Sequence, residues 1–580
     1  MISVKPPLPA AATGFFTAIR DKPHWLLAGL LGIHLGLYFW AGPLFYGSDD
    51  LAYTLIADSI ANGTYQPNPH LHYNRFGATI VPALIFRMFG VNLYTTSLWP
   101  LVCSLLLVAA VFLVGSRIFG RLAGFLAALL LATNPLHLTY SLHLMTDGPL
   151  SLFSFTSAAA LYFGRETRNP RHQLSLAILF AFLFTFAFIS KCSALWAGPF
   201  LVGLLLFDLV HRQNGRLWFT ISITGTILAI VYFGTYYIYT GNFFYRFTGV
   251  NELLDPKNHL SIRQLQDYYV NKPLSAYITR LTYEPVRMFL ASPAVILPML
   301  LALPALVRPF KAIAPLPDSV RFWAFFSWSV ILSLWFGSYS TRYYSPFGLY
   351  DYYLLPITPV LCLLSGVTLA SLVESPAADG RRLLWAMALL FVAMVPVQRF
   401  LLNEKLGILL TGIPLVTLAL ARSWLPELPW KRTLLPVAFV ALVVVTDLLI
   451  PSVGIHRGEL GETALQRDER ELVQKHLANP SGPTLVLTDS RSAKVISFYL
   501  GLRTPTSLRL LSWGEAEAAV VAENRRLLYF VHAGRLKSSR GTYGYAIPAF
   551  VTHPPPDWRL LESRQGISLF EARSVTPPPL

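Results

Sequence analysis

Two adjacent carboxylates, Asp49 and Asp50, follow the first long apolar run in the segment GSDDLAYTLIADSIANG, and a third, Asp147, stands in HLMTDGPLSLF. Only 13% of the 580 residues are charged, where a soluble domain carries roughly 25%, so a charge beside an apolar run is conspicuous. Carboxylates gathered at one membrane face suit transfer of a group to a hydroxyl. One takes the proton from the incoming hydroxyl, whose own pKa is far too high for ionisation at neutral pH, and another orients the acceptor or the base. Structural uses compete: Ser48 can cap a helix whose first turn favours acidic residues, and Asp147 with Pro149 is an ordinary helix start.

A sugar donor at the outer face has to be something the membrane carries across, namely a polyprenyl-phosphate sugar, and its leaving group is an anionic lipid phosphate. That requires cations near the same interface. Lys191 in FISKCSALW interrupts an apolar stretch that otherwise runs through two spans, and Arg75 (HYNRFGATIVP), Arg246 (FFYRFTG) and Arg342 (SYSTRYYSPFGLYDYY) are the further donor-phosphate candidates. Snorkelling in a tight outer turn is the competing use for Lys191. Tyr53, Tyr343, Tyr353 and His143 are candidate sugar or acceptor contacts, against an aromatic belt at the interface. His70 and His72 lie near the carboxylates, but His-x-His on a loop lacks a strong ligand pattern. The donor phosphate carries one charge, so no cofactor is required and a divalent metal is the lesser alternative.

The elements that must hold these residues are membrane spans. Hydrophobic residues make up 54% of the chain and the mean hydropathy is +0.50, which excludes a soluble or disordered protein. Hydropathy predicts about thirteen spans, centred near Leu31, Leu106, Leu129, Phe155, Leu183, Val202, Leu228, Met299, Ile331, Leu363, Leu390, Leu415 and Val443. The N-terminal segment and the short loops near 117, 168, 212, 311, 381 and 431 carry most of the net charge of +16, so they face the cytoplasm. The basic balance thus reports topology and contact with anionic membrane lipids, with no nucleic-acid partner. The expected organisation is a cytoplasmic segment 1–23, a transmembrane domain 24–450 with long outer loops 46–95 and 240–292, and an extracytoplasmic α/β domain 451–580. The first span, His24 to Phe45, reads as a retained signal anchor. Asp49 opens an amphipathic helix expected to lie along the membrane surface. In the last domain, 485–488 and 527–532 read as strands, 492–500 and 515–524 as helices, 534–544 as a mobile loop, and 558–570 as a hairpin turning near Gln565–Gly566. Cys103, Cys192 and Cys362 sit in or beside apolar spans and predict no disulfide.

GSDDLAY, RFGATIVPALIFRMFG, SRIFGRLAGFLAALLLATNPLHLTYSLHLMTDGPLSLF, SKCSALW and YYLLPITPVLCLLSG together resemble the polytopic lipid-donor glycosyltransferases of the GT-C fold. The likeness is to bacterial members of the protein mannosyltransferase-like family, which includes the lipid A aminoarabinose transferase, and it covers residues 25 to about 370. It implies inverting transfer of one sugar at the outer face of the inner membrane, to a hydroxyl on a lipid, glycan or protein acceptor. The family's Asp-Glu motif maps to Asp49 and Asp50, its second acidic motif to Asp147, and its outer-turn lysine to Lys191. The shorter second side chain leaves either Asp49 or Asp50 as base. Tyr352-Tyr353 replaces an Arg-Tyr pair, which turns attention to Arg342 for the phosphate. A flippase or transporter, or a ligase moving a whole lipid-linked glycan, are the competing readings. Ionisable groups gathered at span ends, and not at the bilayer midplane, weigh against transport.

Overall fold

The computed structural model describes residues 23–248 except 69, 274–307 except 292, 318–338, 351–374, 462–512, 526–536 and 553–572, with isolated residues between 375 and 461. In chain order the helices of the first part are α1 (Pro23–Ala41), α2 (Asp49–Ala61), α3 (Phe76–Phe89), α4 (Leu93–Phe119), α5 (Arg121–Ala132), α6 (Pro135–Leu142), α7 (Asp147–Glu166), α8 (Pro170–Ser190), α9 (Gly198–Val210), α10 (Gly215–Thr240), α11 (Leu274–Ala291), α12 (Pro293–Val307), α13 (Asp318–Phe336) and α14 (Thr358–Glu374). Every expected span centre from Leu31 to Leu363 falls inside one of them. Leu390 and Leu415 lie outside the described residues, and around Val443 only isolated residues are described. Among the described residues, six helices are long and apolar enough to cross a membrane, or seven if one bent pair counts as a single span.

That bent pair is α5 and α6, which meet at 56° and were expected as one span about Leu129. The cause is local: Asn134 accepts a hydrogen bond from the His137 amide, and Pro135 opens the new helix, where a missing N–H costs least. A break inside a membrane frees carbonyls that need partners. His34 Nδ1 hydrogen-bonds the Ala132 carbonyl at 2.7 Å, and Ser104 Oγ lies 2.7 Å from both His34 Nε2 and His137 Nε2. All three side chains are buried, so the trio pins α1, α4 and α6 around the break.

At the other end of the bundle, Asp208 receives both Arg165 Nε (3.0 Å) and Nη2 (2.7 Å) and the Trp218 indole N–H at 2.8 Å. This satisfied cluster joins α7, α9 and α10 near their expected cytoplasmic ends. The helix α2 does not lie on lipid as expected. One side packs Tyr53 and Ala57 against Ala83 and Phe86 of α3, and the other packs Leu51 against Val495 and Phe498, more than 440 residues later in the chain.

The C-terminal part is a five-stranded sheet with helices α15 (Ala464–Leu477) and α16 (Ser490–Tyr499). Its strands are β1 (Thr484–Thr488), β2 (Leu508–Ser512), β3 (Arg526–His532), β4 (Arg559–Arg564) and β5 (Ile567–Ala572), in the order β2-β1-β3-β5-β4. β1 runs parallel to both β2 and β3, whereas β5 is antiparallel to β3 and β4. Val486, Leu528 and Phe530 face one apolar core, and Leu485, Leu487 and Leu527 face the other. The hairpin β4–β5 turns at Gln565 and Gly566, both with positive φ (44° and 82°), as a right-twisted two-residue turn demands. β2 was not expected, and the expected helix 515–524 and residues 537–544 of the expected loop lie outside the described residues. Residues 533–536 form a helical turn in which Arg535 pairs with the buried Glu469.

Candidate active site

The two adjacent carboxylates have different surroundings. Asp50 is buried, at 1% exposure, and its oxygens are taken up by backbone N–H groups: Oδ1 accepts from Ser48 (2.7 Å) and Leu51 (2.9 Å), and Oδ2 from Tyr46 (2.5 Å). The Ser48 side chain makes no cap bond, so Asp50 satisfies the turn in its place. The Asp49 side chain is 51% exposed, and its Oδ2 lies 3.3 Å from His72 Nε2. His72 in turn stacks on His70, with ring centroids 4.7 Å apart, and the two Nδ1 atoms are 3.0 Å apart. Burial by itself would raise the pKa of Asp49, but the His72 hydrogen bond and the positive charges of His72, Arg75 and Lys191 outweigh it, leaving the carboxyl below its ordinary value.

Asp147 opens α7 and is also 1% exposed. Its Oδ1 accepts a 2.7 Å hydrogen bond from Lys191 Nζ, and Thr146 Oγ1 donates to Oδ2 at 3.3 Å. Lys191 is the C-cap residue of α8. Its ammonium sits 4.7 Å from the Tyr352 ring centroid and 4.8 Å from that of Tyr353, within reach of a cation–π contact with both. Tyr353 also meets Trp196 edge-on, with centroids 5.2 Å apart. Arg75, the N-cap residue of α3, hydrogen-bonds the Tyr53 hydroxyl. Although burial opposes its charge, nearby Tyr53, Asp147 and Asp49 hold its pKa above the ordinary value, and burial raises that of Tyr53.

A close helix contact brings the two cations to one place. A Cβ at Gly77, two residues after Arg75, would lie 2.0 Å from Ser190 Oγ, the residue before Lys191. Only glycine lets α3 and α8 meet there. His143 lies just before the turn into Asp147. It contacts Tyr46 edge-on at 5.1 Å and Tyr140 at 5.2 Å, and its Nδ1 hydrogen-bonds the Thr139 carbonyl at 2.8 Å.

Asp49, Asp50, Asp147, Lys191, Arg75, Tyr53, Tyr353 and His143 therefore converge. Arg246 stands at the rear of this group: its guanidinium donates to the Phe188 carbonyl (2.7 Å), to Cys192 Sγ (3.2 Å) and to the Tyr232 hydroxyl, so it braces the turn that carries Lys191. Arg342 and Tyr343 lie outside the described residues. Sequence reading noted Tyr352 as the replacement of an arginine and not as the second ring under Lys191, and it left out Tyr46. It weighed His72 only as a metal ligand and not as the partner of Asp49. Among the described residues, no group of three or more His, Cys, Asp or Glu is placed to hold a metal ion.

The family profile described as dolichyl-phosphate-mannose-protein mannosyltransferase matches residues 77–238, which include Asp147 and Lys191 and begin after Asp49, Asp50 and Arg75. No curated protein matches the chain. The crystal structure of ArnT from Cupriavidus metallidurans in the apo state is similar over 98% of this chain and 100% of its own, with 15% identity and a TM-score of 0.55. The same enzyme bound to undecaprenyl phosphate is similar over 96% of this chain and 100% of its own, with 14% identity and a TM-score of 0.56. By its fold the chain is thus a polytopic membrane protein of the GT-C type, with a small α/β domain after its helices.

Proposed function

We propose that the protein is an integral-membrane glycosyltransferase that moves a single sugar from a polyprenyl-phosphate donor to an acceptor hydroxyl on the extracytoplasmic face. The observation that carries this reading is the meeting of an accessible carboxylate, Asp49, with a buried cation, Lys191, and a partly buried one, Arg75, at one end of the helix bundle. The acceptor oxygen attacks the anomeric carbon as the bond to the phosphate oxygen breaks on the opposite side, so the configuration inverts. Asp49 takes the hydroxyl proton, and the phosphate leaves with the bonding pair into the field of Lys191 and Arg75. Asp50 fixes the turn ahead of the base. Asp147 orients Lys191, Tyr353 flanks it, and Arg246 braces its turn, acting on the donor phosphate only through Lys191.

The same proposal assigns residues 1–23 to the cytoplasm, 24–450 to the inner membrane and 451–580 to the outer side, with an envelope glycolipid, a glycan or a protein as acceptor. Tyr53 and His143 line the acceptor side. The reaction as written needs no metal. The test incubates the purified protein in lipid nanodiscs with labelled polyprenyl phosphates bearing mannose, glucose, galactose or arabinose, together with an envelope extract. The expected product is an acceptor heavier by one sugar with inverted anomeric configuration. Movement of lipid-linked sugar across proteoliposomes without any covalent product would replace this reading with transport.

A further inference from the structure

The backbone just before Asp49 is held from two sides. From within the membrane part, Asp50 accepts the Tyr46 and Ser48 amides, and the Leu44 amide donates to the Leu142 carbonyl at 2.8 Å. From the C-terminal α/β domain, three successive carbonyls are taken. Gln466 Nε2 donates to Phe45 O at 3.0 Å, and Arg491 donates through Nη2 to Tyr46 O (3.2 Å) and through Nε to Gly47 O (2.7 Å). The Phe45 ring stacks on Phe498, with centroids 3.6 Å apart and planes 13° from parallel. Gly47 has φ +64°, and a Cβ there would lie 2.6 Å from Val495 Cγ2. The turn is therefore shaped to receive α16.

Arg491 stands in the first turn of α16, immediately after β1, and the Asp489 cap fixes that turn by accepting the Arg491 and Ser492 amides. The carboxyl edge of a parallel sheet is where α/β domains usually bind ligands. Here it grips the peptide that leads into Asp49. Hydrogen bonds to carbonyls 45 to 47 add no substrate contact, but they fix where Asp49 leaves the turn, two residues on.

We infer that the C-terminal α/β domain is a positioning module for the acid–base helix, with Arg491 as the positioning residue through which it acts. This rests on the reading of Asp49 as base. A misplacement of about 1 Å at a reacting group can cost on the order of 100-fold in rate, so loosening this turn lowers the rate of the chemical step with little effect on donor binding.

The experiment uses the full-length protein in nanodiscs and compares Arg491→Ala, Arg491→Lys and Phe498→Leu. It reads amide hydrogen exchange over residues 44–51 and the kinetics of transfer from the sugar-bearing polyprenyl phosphates named above. Arg491→Ala is expected to speed exchange over 44–51 by about 10-fold or more and to cut kcat by about 10-fold or more, with KM for the donor within about 2-fold. Arg491→Lys, which keeps one donor in place of the fork, falls between. Parent-like exchange over 44–51 with β1 and β3 still protected overturns the inference, and so does a loss expressed in KM alone. Should Arg491→Ala unfold the sheet, Phe498→Leu decides: it has to reproduce both changes, and parent-like behaviour rejects the inference. Asp49→Asn is run alongside. If it transfers like the parent, the acid–base reading fails, whereas a parent-like Arg491→Ala beside an inactive Asp49→Asn rejects the positioning role alone.

Discussion

Lys191 Nζ donates to Asp147 Oδ1 at 2.7 Å, and both side chains are almost fully buried, at 10% and 1% exposure. Neither charge is tolerable there alone, and together they form a neutral unit whose ammonium still faces two tyrosine rings. The pair links the start of α7 to the end of α8, so it also fixes that end of the bundle.

Removing one member therefore leaves an uncompensated buried charge. Lys191→Met and Asp147→Asn should each destabilise the protein by about 3–5 kcal/mol, read as lowered Tm in thermal unfolding. The double variant should recover part of that loss yet stay without transfer. Additive destabilisation in the double variant would show that the two charges do not act as a pair.

The acid limb of the pH–rate profile should report Asp49. Its folded pKa lies below the ordinary carboxylate value because His72, Arg75 and Lys191 outweigh burial. Asp49 thus contributes stability that is complete above the unfolded pKa of about 3.9 and is lost as the pH falls through the lower folded value. In His72→Leu the leading opposing hydrogen bond and charge are gone while burial stays, so the acid limb of kcat/KM should move to higher pH. An unmoved limb would assign it to another group.

Asp50→Ala should act on the backbone first. It removes the acceptor for the Tyr46, Ser48 and Leu51 amides; the buried Leu51 donor left without a partner costs about 1–3 kcal/mol, and the half-buried other two cost less. Hydrogen exchange at those three amides should rise while protection in α4 and α8 stays at the parent level. Uniformly raised exchange throughout the bundle would point instead to global destabilisation.

Ser104→Ala leaves the His34 and His137 Nε2 atoms without their shared partner. The expected cost is about 1–3 kcal/mol in unfolding free energy, with KM for the donor unchanged, because the bonds of the trio serve the α5–α6 break. A raised KM with unaltered Tm would instead tie the trio to the site.

How legible this was in the sequence depended on whether the partners were local. Asp147 and Lys191 stood out because charge is scarce in apolar runs, and one turn of helix places each of them. Asn134-Pro135 carried the signal of the α5–α6 break, but hydropathy averages over such a feature and returned one span. Asp49 and Asp50 could not be told apart, since their difference lies in the path of the backbone through Gly47, which folds three amides onto Asp50. The burial of α2 was illegible for another reason. Val495 and Phe498, which cover Leu51, lie in a domain more than 440 residues away, and an apolar helix face looks the same whether lipid or protein covers it. Arg246 read as a cation open to the donor, yet its donors serve the Phe188 carbonyl, Cys192 and Tyr232, contacts that no spacing encodes.

The central claim, that Asp49 is the base and Asp50 its support, is tested most directly by single-turnover transfer from a sugar-bearing polyprenyl phosphate with Asp49→Asn and Asp50→Asn compared under saturating donor. The account predicts a chemical step slower by about 100-fold or more for Asp49→Asn, in the range of lost general-base catalysis, and a markedly smaller loss for Asp50→Asn. Asp49→Asn turning over at the parent rate, or Asp50→Asn alone being inactive while folded, would contradict it.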